Sequence, residues 1–391
     1  MLGIAALALL TGCQSSLDGG GSAASASSKS APPATLQLTP ADGTPDVPPS
    51  SPVQVAVAGG DLGKVTVADA AGAAVAGTVA ASQDAPGTSV WTPEKPLAYG
   101  TKYTVTATAQ SKSDTAAKAT ATFTTVKPAT LSTPSVGPLN GTTVGVGMPI
   151  RVYFDQKVDD EHKAAVEKQL QVDSSQPTDG AWNWLSDKEV HFRPSTYWPA
   201  GTDVTLHANL YGIDMGNGVW GEKDRTVSFH IGDKHVSVAD AETHTLTVSD
   251  GDNVVQTYPM SAGSDANPTR NGPHVVLQTY DNITMDSSTF GLAVDAPGGY
   301  RSDVKWATRI SNNGEFVHGA PWSAAQQGHS NVSHGCINLT DDRAQWFLNF
   351  SKPGDVVEVK GSKGPLLSAA DGDIYDWAIP WDTWKAGSAL S

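Results

Sequence analysis

Apolar and polar residues alternate along most of the chain from about residue 36 onward. Runs such as Tyr103-Thr-Val-Thr-Ala107 and Val204-Thr-Leu-His-Ala208 place an apolar side chain at every second position. This period of two is typical of half-buried strands. Turn residues recur at short intervals between the runs, which favours antiparallel sandwiches over helical bundles. The pattern therefore predicts a mainly β protein.

Two consecutive segments share landmarks, which indicates an internal repeat. The matched pairs are Asp42-Gly43-Thr44 with Asn140-Gly141-Thr142, Trp91-Thr-Pro93 with Phe192-Arg-Pro194, and Phe123 with Phe229. Their separations are 98, 101 and 106 residues. We interpret 36–128 and 131–232 as two immunoglobulin-like β-sandwich domains, the second with a helix at about 159–170. Neither contains a cluster of catalytic residue types, so we predict spacers, with binding of a wall polymer as the alternative.

One loop of the second domain is rich in glycine and oxygen donors. It runs from Asp214 through Gly216 and Asn217 to Gly218. Calcium prefers such oxygen ligands, so a weak calcium site is one interpretation. A turn before the last strand is the alternative that we favour, and we predict no metal site.

The remainder of the chain, 233–360, forms a further β-rich domain in this interpretation. Asp250-Gly251 between two apolar runs predicts a hairpin, and 355–359 predicts a final strand. A helix is predicted over Asp341–Phe350, where Thr340 is a candidate cap and the first two residues are acidic. The tail, 361–391, contains three tryptophans around Pro380, and we expect it to pack on a neighbouring surface.

Composition limits the partners and the number of domains. The chain of 391 residues has 25 Lys and Arg against 40 Asp and Glu, a net charge of −15. This acidity argues against nucleic acid as a partner. At roughly 150 residues per domain, the length predicts two to three domains. No internal apolar run approaches the ~20 residues of a membrane-spanning helix.

The N-terminus has the features of a processed export signal. An apolar run, Met1–Leu10, is followed by Thr11-Gly12-Cys13, and small residues precede signal cleavage sites. The segment resembles a bacterial lipobox, so we expect 1–13 to be a lipoprotein signal peptide with Cys13 lipidated. The absence of Lys or Arg before the run departs from that pattern, and a disordered N-terminus is the alternative. Residues 14–35 are rich in Ser, Ala and Gly, which predicts a flexible linker.

The second of the two cysteines, Cys336, is the candidate for chemistry. A free thiol is only slightly ionised at neutral pH, so a nucleophilic cysteine needs a nearby base. The nearby histidines are His318, His329 and His334. The amide groups of Gly335 and Cys336 are candidates for an oxyanion hole. A zinc site made by these side chains and an inert buried thiol are the alternatives.

Several separated motifs then resemble a known family. His318 followed after a loop by Ser333-His-Gly-Cys-Ile-Asn338 is similar to the signature of L,D-transpeptidases with a YkuD-type catalytic domain. The other matching motifs are Met285-Asp-Ser-Ser-Thr-Phe-Gly291, Gly299-Tyr-Arg301, Ala320-Pro-Trp-Ser323 and Gln345-Trp-Phe347. They resemble actinobacterial members that carry two immunoglobulin-like domains ahead of the catalytic domain.

The resemblance implies an enzyme that acts on peptidoglycan stem peptides without a cofactor. Cys336 would be the nucleophile and His318 its base, with Tyr300 and the Gly335 amide at the oxyanion and His334 as a structural hydrogen-bonding partner. The residues expected along the substrate path are Met285, Asn313, Gly314, Trp322, Ser333 and Asn338. Carbapenems would acylate Cys336. Relatives have a serine after the base where this chain has Gly319, which keeps the carbonyl that orients the imidazole.

The expected reaction is transfer of a stem peptide through a thioester to an amine, giving a 3→3 cross-link with loss of D-alanine. An L,D-carboxypeptidase or amidase with the same cysteine is an alternative enzyme. A wall-binding lipoprotein with weak catalysis is the alternative from another class. The expected location is outside the cytoplasmic membrane, with a lipid anchor and extension into the cell wall.

Overall fold

A computed structural model describes residues 33–391 except 112–114, 291–292, 297–298 and 373. Strands predominate over this part of the chain, with three α-helices and a few short 3-10 turns. The predicted fold class, two immunoglobulin-like domains followed by a β-rich catalytic domain, is confirmed. The predicted signal peptide, Cys13 and most of the linker lie outside the described residues.

The first domain is a sandwich of two sheets. Its strands are β1 Thr35–Thr39, β2 Thr44–Val47, β3 Val53–Ala58, β4 Gly60–Asp69, β5 Ala74–Val75, β6 Gly77–Ala81, β7 Thr88–Pro93, β8 Lys102–Ser111 and β9 Ala116–Thr125. One sheet has the order β1-β3-β7-β6 and the other β2-β9-β8-β4-β5. Apolar residues of the alternating runs, including Val55, Trp91, Val105 and Phe123, fill the space between the sheets.

The second domain repeats this architecture and adds one helix. Its elements are β10 Thr130–Ser132, β11 Ser135–Gly137, β12 Thr143–Val144, β13 Ile150–Tyr153, α1 Asp160–Glu167, β14 Leu170–Ser174, β15 Gly180–Trp184, β16 Glu189–Pro194, β17 Asp203–Ala208, β18 Asp214–Gly216, β19 Val219–Gly221 and β20 Arg225–Ile231. The sheets have the orders β11-β13-β16-β15, β12-β20-β17-β14 and β10-β19-β18. The helix lies within the range predicted from the sequence.

The repeated landmark has the same structural role in both domains. The Asp42 Oδ1 accepts a hydrogen bond from the Thr122 amide at 2.8 Å, and the Asn140 Oδ1 accepts one from the Ser228 amide at 2.9 Å. Each landmark therefore fixes a turn against the last strand of its own sandwich. This shared hydrogen bond explains why the motif is readable at the same place in both copies.

The loop considered for calcium forms a tight hairpin between β18 and β19. The Asp214 Oδ1 accepts the Gly216 amide, and the Asn217 side chain donates to both carboxylate oxygens of Asp159. The structure therefore gives this loop the turn that we favoured, with its polar groups bonded to the protein.

The C-terminal domain consists of two sheets and helix α2. Its elements are β21 His235–Asp240, β22 Thr245–Asp250, β23 Asn253–Pro259, β24 Gly272–Val275, β25 Gln278–Asp286, β26 Arg301–Arg309, β27 Phe316–Gly319, β28 Ile337–Leu339, α2 Asp341–Phe350 and β29 Val356–Lys360. The sheets have the orders β23-β22-β21-β29-β24 and β25-β26-β27-β28. Between them lies a core that includes Leu246, Ile310, Val317, Ile337 and Phe347.

Helix α2 occupies the predicted range, but its cap differs from the expectation. Thr340 holds the N-cap position in an extended conformation without a capping hydrogen bond from its side chain. The helix is instead held by burial of Ala344 and Phe347, and its acidic first turn suits the helix dipole.

The tail packs chiefly on the second immunoglobulin-like domain. The indole nitrogens of Trp377 and Trp384 donate to the carbonyls of Gly147 and Ala181 at 2.7 and 2.8 Å. The Arg193 guanidinium lies 4.6 to 5.1 Å from the ring centres of Trp377, Trp381 and Trp384. The helix α3, Trp381–Ala386, begins directly after Pro380. The tail therefore ties the catalytic domain to its neighbour.

No helix in the described part of the chain is long and apolar enough to cross a bilayer.

Candidate active site

Cys336 lies in a tight turn immediately before β28, and the hydroxyl of Ser333 braces that turn. The Ser333 Oγ donates to the Cys336 carbonyl at 2.6 Å and accepts the Gly335 amide at 3.1 Å. Gly335 has a φ of 122°, a backbone conformation that L side chains rarely adopt. The glycine beside the cysteine is therefore required by the turn.

The Cys336 thiol is buried, with 6% of the residue exposed. Its Sγ donates a weak hydrogen bond to the Gly314 carbonyl at 3.6 Å. Burial raises the pKa of the thiol to about 12, and the charge of Glu315 adds to this although the Phe316 amide opposes it. The resting nucleophile is therefore a neutral thiol.

His318 is the penultimate residue of the strand β27 and is 4% exposed. Its Nδ1 lies 2.8 Å from the Gly319 carbonyl. A carbonyl only accepts, so this contact places the proton on Nδ1 and leaves Nε2 as the basic nitrogen. Burial lowers the pKa of His318 to about 4, although the Gly319 carbonyl and the Asp341 carboxylate raise it partly back. The carbonyl contact that the resemblance implies is therefore present with glycine at position 319.

These two shifts mean that the resting pair is neutral and not a thiolate with an imidazolium. Burial dominates both pKa values because it penalises each charged form. Proton transfer must therefore accompany attack on a substrate rather than precede it.

Tyr300 and His334 lie together at the mouth of the site. Their ring centres are 5.2 Å apart and the planes are tilted by 44°. Burial raises the pKa of Tyr300 to about 12, with a further contribution from Cys336, so its hydroxyl remains a donor. His334 is exposed. The structure places it against the tyrosine ring, and no hydrogen bond of its imidazole is found among the described residues, in contrast to the predicted hydrogen-bonding role.

Two cavities meet at Tyr300 and His334. One of about 370 Å³ is lined by Met285, Tyr300, Ser302, Val304, His318, Trp322, Val332, Ser333, His334, Cys336 and Asn338. The other, of about 430 Å³, is lined by Ala266, Asn267, Pro268, Arg270, Ser287, Tyr300, Asn313, Gly314, Glu315, His334, Gly335, Ala370 and Asp371. The first contains both the thiol and the candidate base. Both cavities thus border the turn that carries Cys336.

The cavity with the thiol is lined by four of the predicted substrate residues, Met285, Trp322, Ser333 and Asn338. Met285 is buried beside Cys336 in one apolar cluster. Trp322 is 62% exposed, and its ring centre lies 6.1 Å from that of His318. The Asn338 Nδ2 donates to the Ser323 Oγ at 3.1 Å, whereas its buried Oδ1 has no partner. An unpaired oxygen in this wall is suited to accept a substrate N–H.

Three of the predicted substrate residues, Asn313, Gly314 and Ser333, make contacts within the protein. Asn313 and Gly314 line the larger cavity, but the Asn313 Nδ2 donates to Asp371 at 3.0 Å. Both hydrogen bonds of the Ser333 hydroxyl lie within the Cys336 turn. Its side chain therefore shapes the nucleophile turn. Ser333 also lines the cavity with the thiol, so its contact with substrate stays a prediction. The Gly335 amide is likewise bonded to Ser333 and is not a free oxyanion donor in this structure.

Sequence reasoning missed a buried polar network directly behind this turn. The Glu315 carboxylate accepts hydrogen bonds from the Arg270 amide at 2.7 Å and from the His274 Nε2 at 3.0 Å. The Thr269 hydroxyl donates to the Gly335 carbonyl at 2.8 Å. In the sequence Glu315 is simply a polar residue before an apolar run. No local signal shows that it meets residues more than 40 positions away.

The structure offers no support for the zinc alternative. Within the described ranges, no three His, Cys, Asp or Glu side chains are grouped so as to hold a metal ion. The Nδ1 of His318 is bonded to a carbonyl, and Cys336 is the free cysteine of the described chain.

Comparison with family models assigns the two parts of the chain separately. Residues 44–214 match the model of a bacterial Ig domain, and residues 234–359 match that of the L,D-transpeptidase catalytic domain. Fold and site thus define the class, an acyltransferase domain carried behind immunoglobulin-like domains.

Individual relatives extend the match to nearly the whole chain. L,D-transpeptidase 2 of Mycobacterium tuberculosis is 42% identical over 358 residues, which cover 92% of this chain and 85% of that protein. L,D-transpeptidase 5 of the same species is 40% identical over 370 residues, which cover 93% of this chain and 79% of that protein. The chain belongs to the L,D-transpeptidase family. A solved structure of the LD transpeptidase LdtMt1 with imipenem is 35% identical and has a TM-score of 0.52, covering 60% of this chain and all of that one.

Proposed function

We propose that this protein forms 3→3 cross-links in peptidoglycan through a thioester on Cys336. The observation that carries the proposal is the buried thiol in one cavity with His318, whose basic nitrogen is set by the Gly319 carbonyl. Family membership supports the substrate class, since the relatives are named L,D-transpeptidases. Two cavities that meet at the Cys336 turn suit a reaction with a donor and an acceptor.

In the first half of the proposed reaction, the Cys336 Sγ attacks the carbonyl of the third stem residue as its proton passes to the His318 Nε2. The Cys336 amide and the Tyr300 hydroxyl are the oxyanion donors that we assign, because the Gly335 amide is bonded to Ser333. Collapse breaks the peptide bond and forms the thioester. The D-alanine amine leaves with the proton from His318.

In the second half, the side-chain amine of another stem attacks the thioester. His318 accepts a proton from that amine, an amide bond forms, and the thiolate leaves and is protonated again. Water in place of the amine would give the carboxypeptidase reaction. The two outcomes differ only in the acceptor, so the product decides between them.

We also propose that the protein is anchored by a lipid on Cys13 outside the cytoplasmic membrane and extends into the wall. The two sandwiches would then act as spacers, and the linker 14–35 would add reach. A carbapenem would acylate Cys336, as the imipenem complex of the relative suggests. Loss of lipid labelling in Cys13→Ala, with the chain released from membranes, is the expected result. Unchanged membrane retention would contradict the anchor.

The decisive test incubates the purified protein with a disaccharide that bears a tetrapeptide stem and follows the products by mass spectrometry. We expect a dimer formed with loss of D-alanine, and neither dimer nor acyl-enzyme with Cys336→Ala. Tripeptide monomer alone would assign hydrolysis instead. Full activity of Cys336→Ala would disprove the thioester mechanism.

A further inference from the structure

In β27, the strand that carries the candidate base, the space beside Gly319 is occupied by a side chain from another element. Gly319 has no side chain, and a Cβ built on it would collide with the Oδ1 of Asp341 and lie 3.2 Å from the Lys305 carbonyl. Asp341 is the first residue of α2 and comes 22 positions later in the chain. The carboxylate therefore occupies the space that a side chain at position 319 would need.

This position is significant because Gly319 is the residue that orients His318. Its carbonyl holds the imidazole Nδ1 at 2.8 Å. A small displacement of the Gly319 peptide would rotate the imidazole away from the productive direction. The Asp341 carboxylate and the Lys305 carbonyl both limit the space beside this peptide. The contact is thus held by the packing of α2 against the end of β27.

The charge of Asp341 has a second consequence. When Cys336 attacks, His318 becomes an imidazolium in a buried site, and the N-terminus of α2 beside it disfavours positive charge. A carboxylate at the first position of that helix opposes both effects. Asp341 is one of the groups that raise the pKa of His318 against burial. In this role the carboxylate takes no proton from the thiol and only stabilises the proton on the base.

The other titratable and charged groups around His318 belong to several neighbouring elements. Cys336 precedes the paired strand β28, and Lys305 on β26 lies opposite Gly319 and is exposed. Tyr300 and His334 line the same cavity. Asp342 follows Asp341 on the helix and is exposed. Of these side chains, the carboxylate of Asp341 is the one that lies at the Cβ position of Gly319, where Lys305 contributes only its backbone carbonyl.

We propose that Asp341 is a positioning residue of this active site: its carboxylate replaces the missing side chain at position 319, fixes the carbonyl that orients His318, and stabilises the imidazolium formed during attack. The proposal rests on the proposed function of Cys336 and His318. It assigns the third member of the catalytic arrangement to a residue on α2, which the sequence motifs around Cys336 and His318 do not include.

The test compares Asp341→Asn with Asp342→Asn, which removes the same charge from the same helix end. Acylation of the purified protein by imipenem is followed by loss of the β-lactam absorbance across acidic and neutral pH. We expect Asp341→Asn to acylate about tenfold more slowly, the effect of about one pKa unit on the base. Its acid limb should lie at lower pH than that of the wild type, because the His318 pKa has fallen. Asp342→Asn should match the wild type in both.

A double substitution tests the space-filling half of the proposal. Gly319→Ala should slow acylation severalfold because its Cβ meets the carboxylate, yet it should have little effect in an Asp341→Ala background. Additive effects of the two substitutions, or equal acid limbs for Asp341→Asn and Asp342→Asn, would overturn the proposal. If imipenem acylated neither wild type nor variants, the proposed function would fail. An NMR titration of His318 in the wild type, Asp341→Asn and Asp342→Asn would then still decide the role of Asp341.

Discussion

Two buried histidines, His318 beside the nucleophile and His191 under the tail, show how the same side chain serves opposite purposes. Both are almost fully buried, at 4% and 0% exposure. Burial lowers the pKa of each, and for His318, with a carbonyl as its hydrogen-bonding partner, the result is about 4. The ring of His191 bonds Asp376 at 2.9 Å and Glu189 at 2.8 Å, and these carboxylates outweigh burial and raise its pKa to about 9.

The two pKa values differ because of the hydrogen-bonding partners of each ring and not because of the depth of burial. Two carboxylates make His191 a buried cation that joins the tail to the second immunoglobulin-like domain. A carbonyl orients the His318 ring without fixing a charge on it, so the ring stays neutral and ready to take a proton. The charge pairs of His191 thus have a structural role between the tail and the second domain. The active site keeps His318 uncharged for catalysis.

The largest expected effect comes from removing the neutral histidine. His318→Gln should slow acylation of Cys336 by a carbapenem about 10² to 10⁴-fold, because the thiol loses its base. The free energy of unfolding should change little, since no charge pair is broken. Acylation kinetics with denaturation curves measure both. His329→Gln, an exposed histidine in the same loop region, is the matched control. A normal rate in His318→Gln would assign another base.

Removing a partner of the charged histidine should instead lower the folding stability and leave the acylation rate unchanged. Asp376→Asn leaves His191 with Glu189 alone, and breaking a buried ion pair costs about 3 kcal/mol of folding stability. Acylation of Cys336 should stay near the wild-type rate. Chemical denaturation followed by tryptophan fluorescence reports the tail. Asp382→Asn, whose carboxylate is 95% exposed on α3, should leave stability unchanged. Equal stabilities of the two variants would refute the structural role of the pair.

The smallest effect is expected in the pH profiles of the wild type. Its acylation rate should vary little between about pH 5 and about pH 9, because His318 is neutral above its pKa and the thiol is protonated below its own. Stability should behave differently. The His191 pKa is raised from 6.5 to about 9 in the folded state. Its stabilisation is therefore complete below pH 6.5 and is lost as the pH rises through about 9.

Acylation rates and denaturation midpoints over one pH series separate the two expectations. Asp376→Asn should flatten the alkaline loss of stability, because the raised pKa of His191 depends on that carboxylate. A steep rise of the acylation rate near neutral pH would instead indicate a thiol that ionises before it attacks.

Local sequence patterns were sufficient for the elements and for the two residues at the centre of the site. The period of two predicted the strands, and the acidic start with an apolar face predicted α2 over its full length. The spacing of His318 to the Cys336 motif depends on a strand, a loop and a turn that are all local in sequence. The repeated turn motifs predicted two similar sandwiches because each motif bonds within its own domain.

Contacts between distant parts of the chain were decided by the tertiary structure alone. The Ser333 hydroxyl braces the Cys336 turn, and Glu315 lies behind that turn with His274. The same holds for the Asp341 carboxylate at Gly319 and for the anchoring of His191 by Asp376. Sequence determined which residue types are present and which strands and helices hold them. Burial and the charge of the facing side chains fix the protonation of each histidine, and both depend on how distant elements pack.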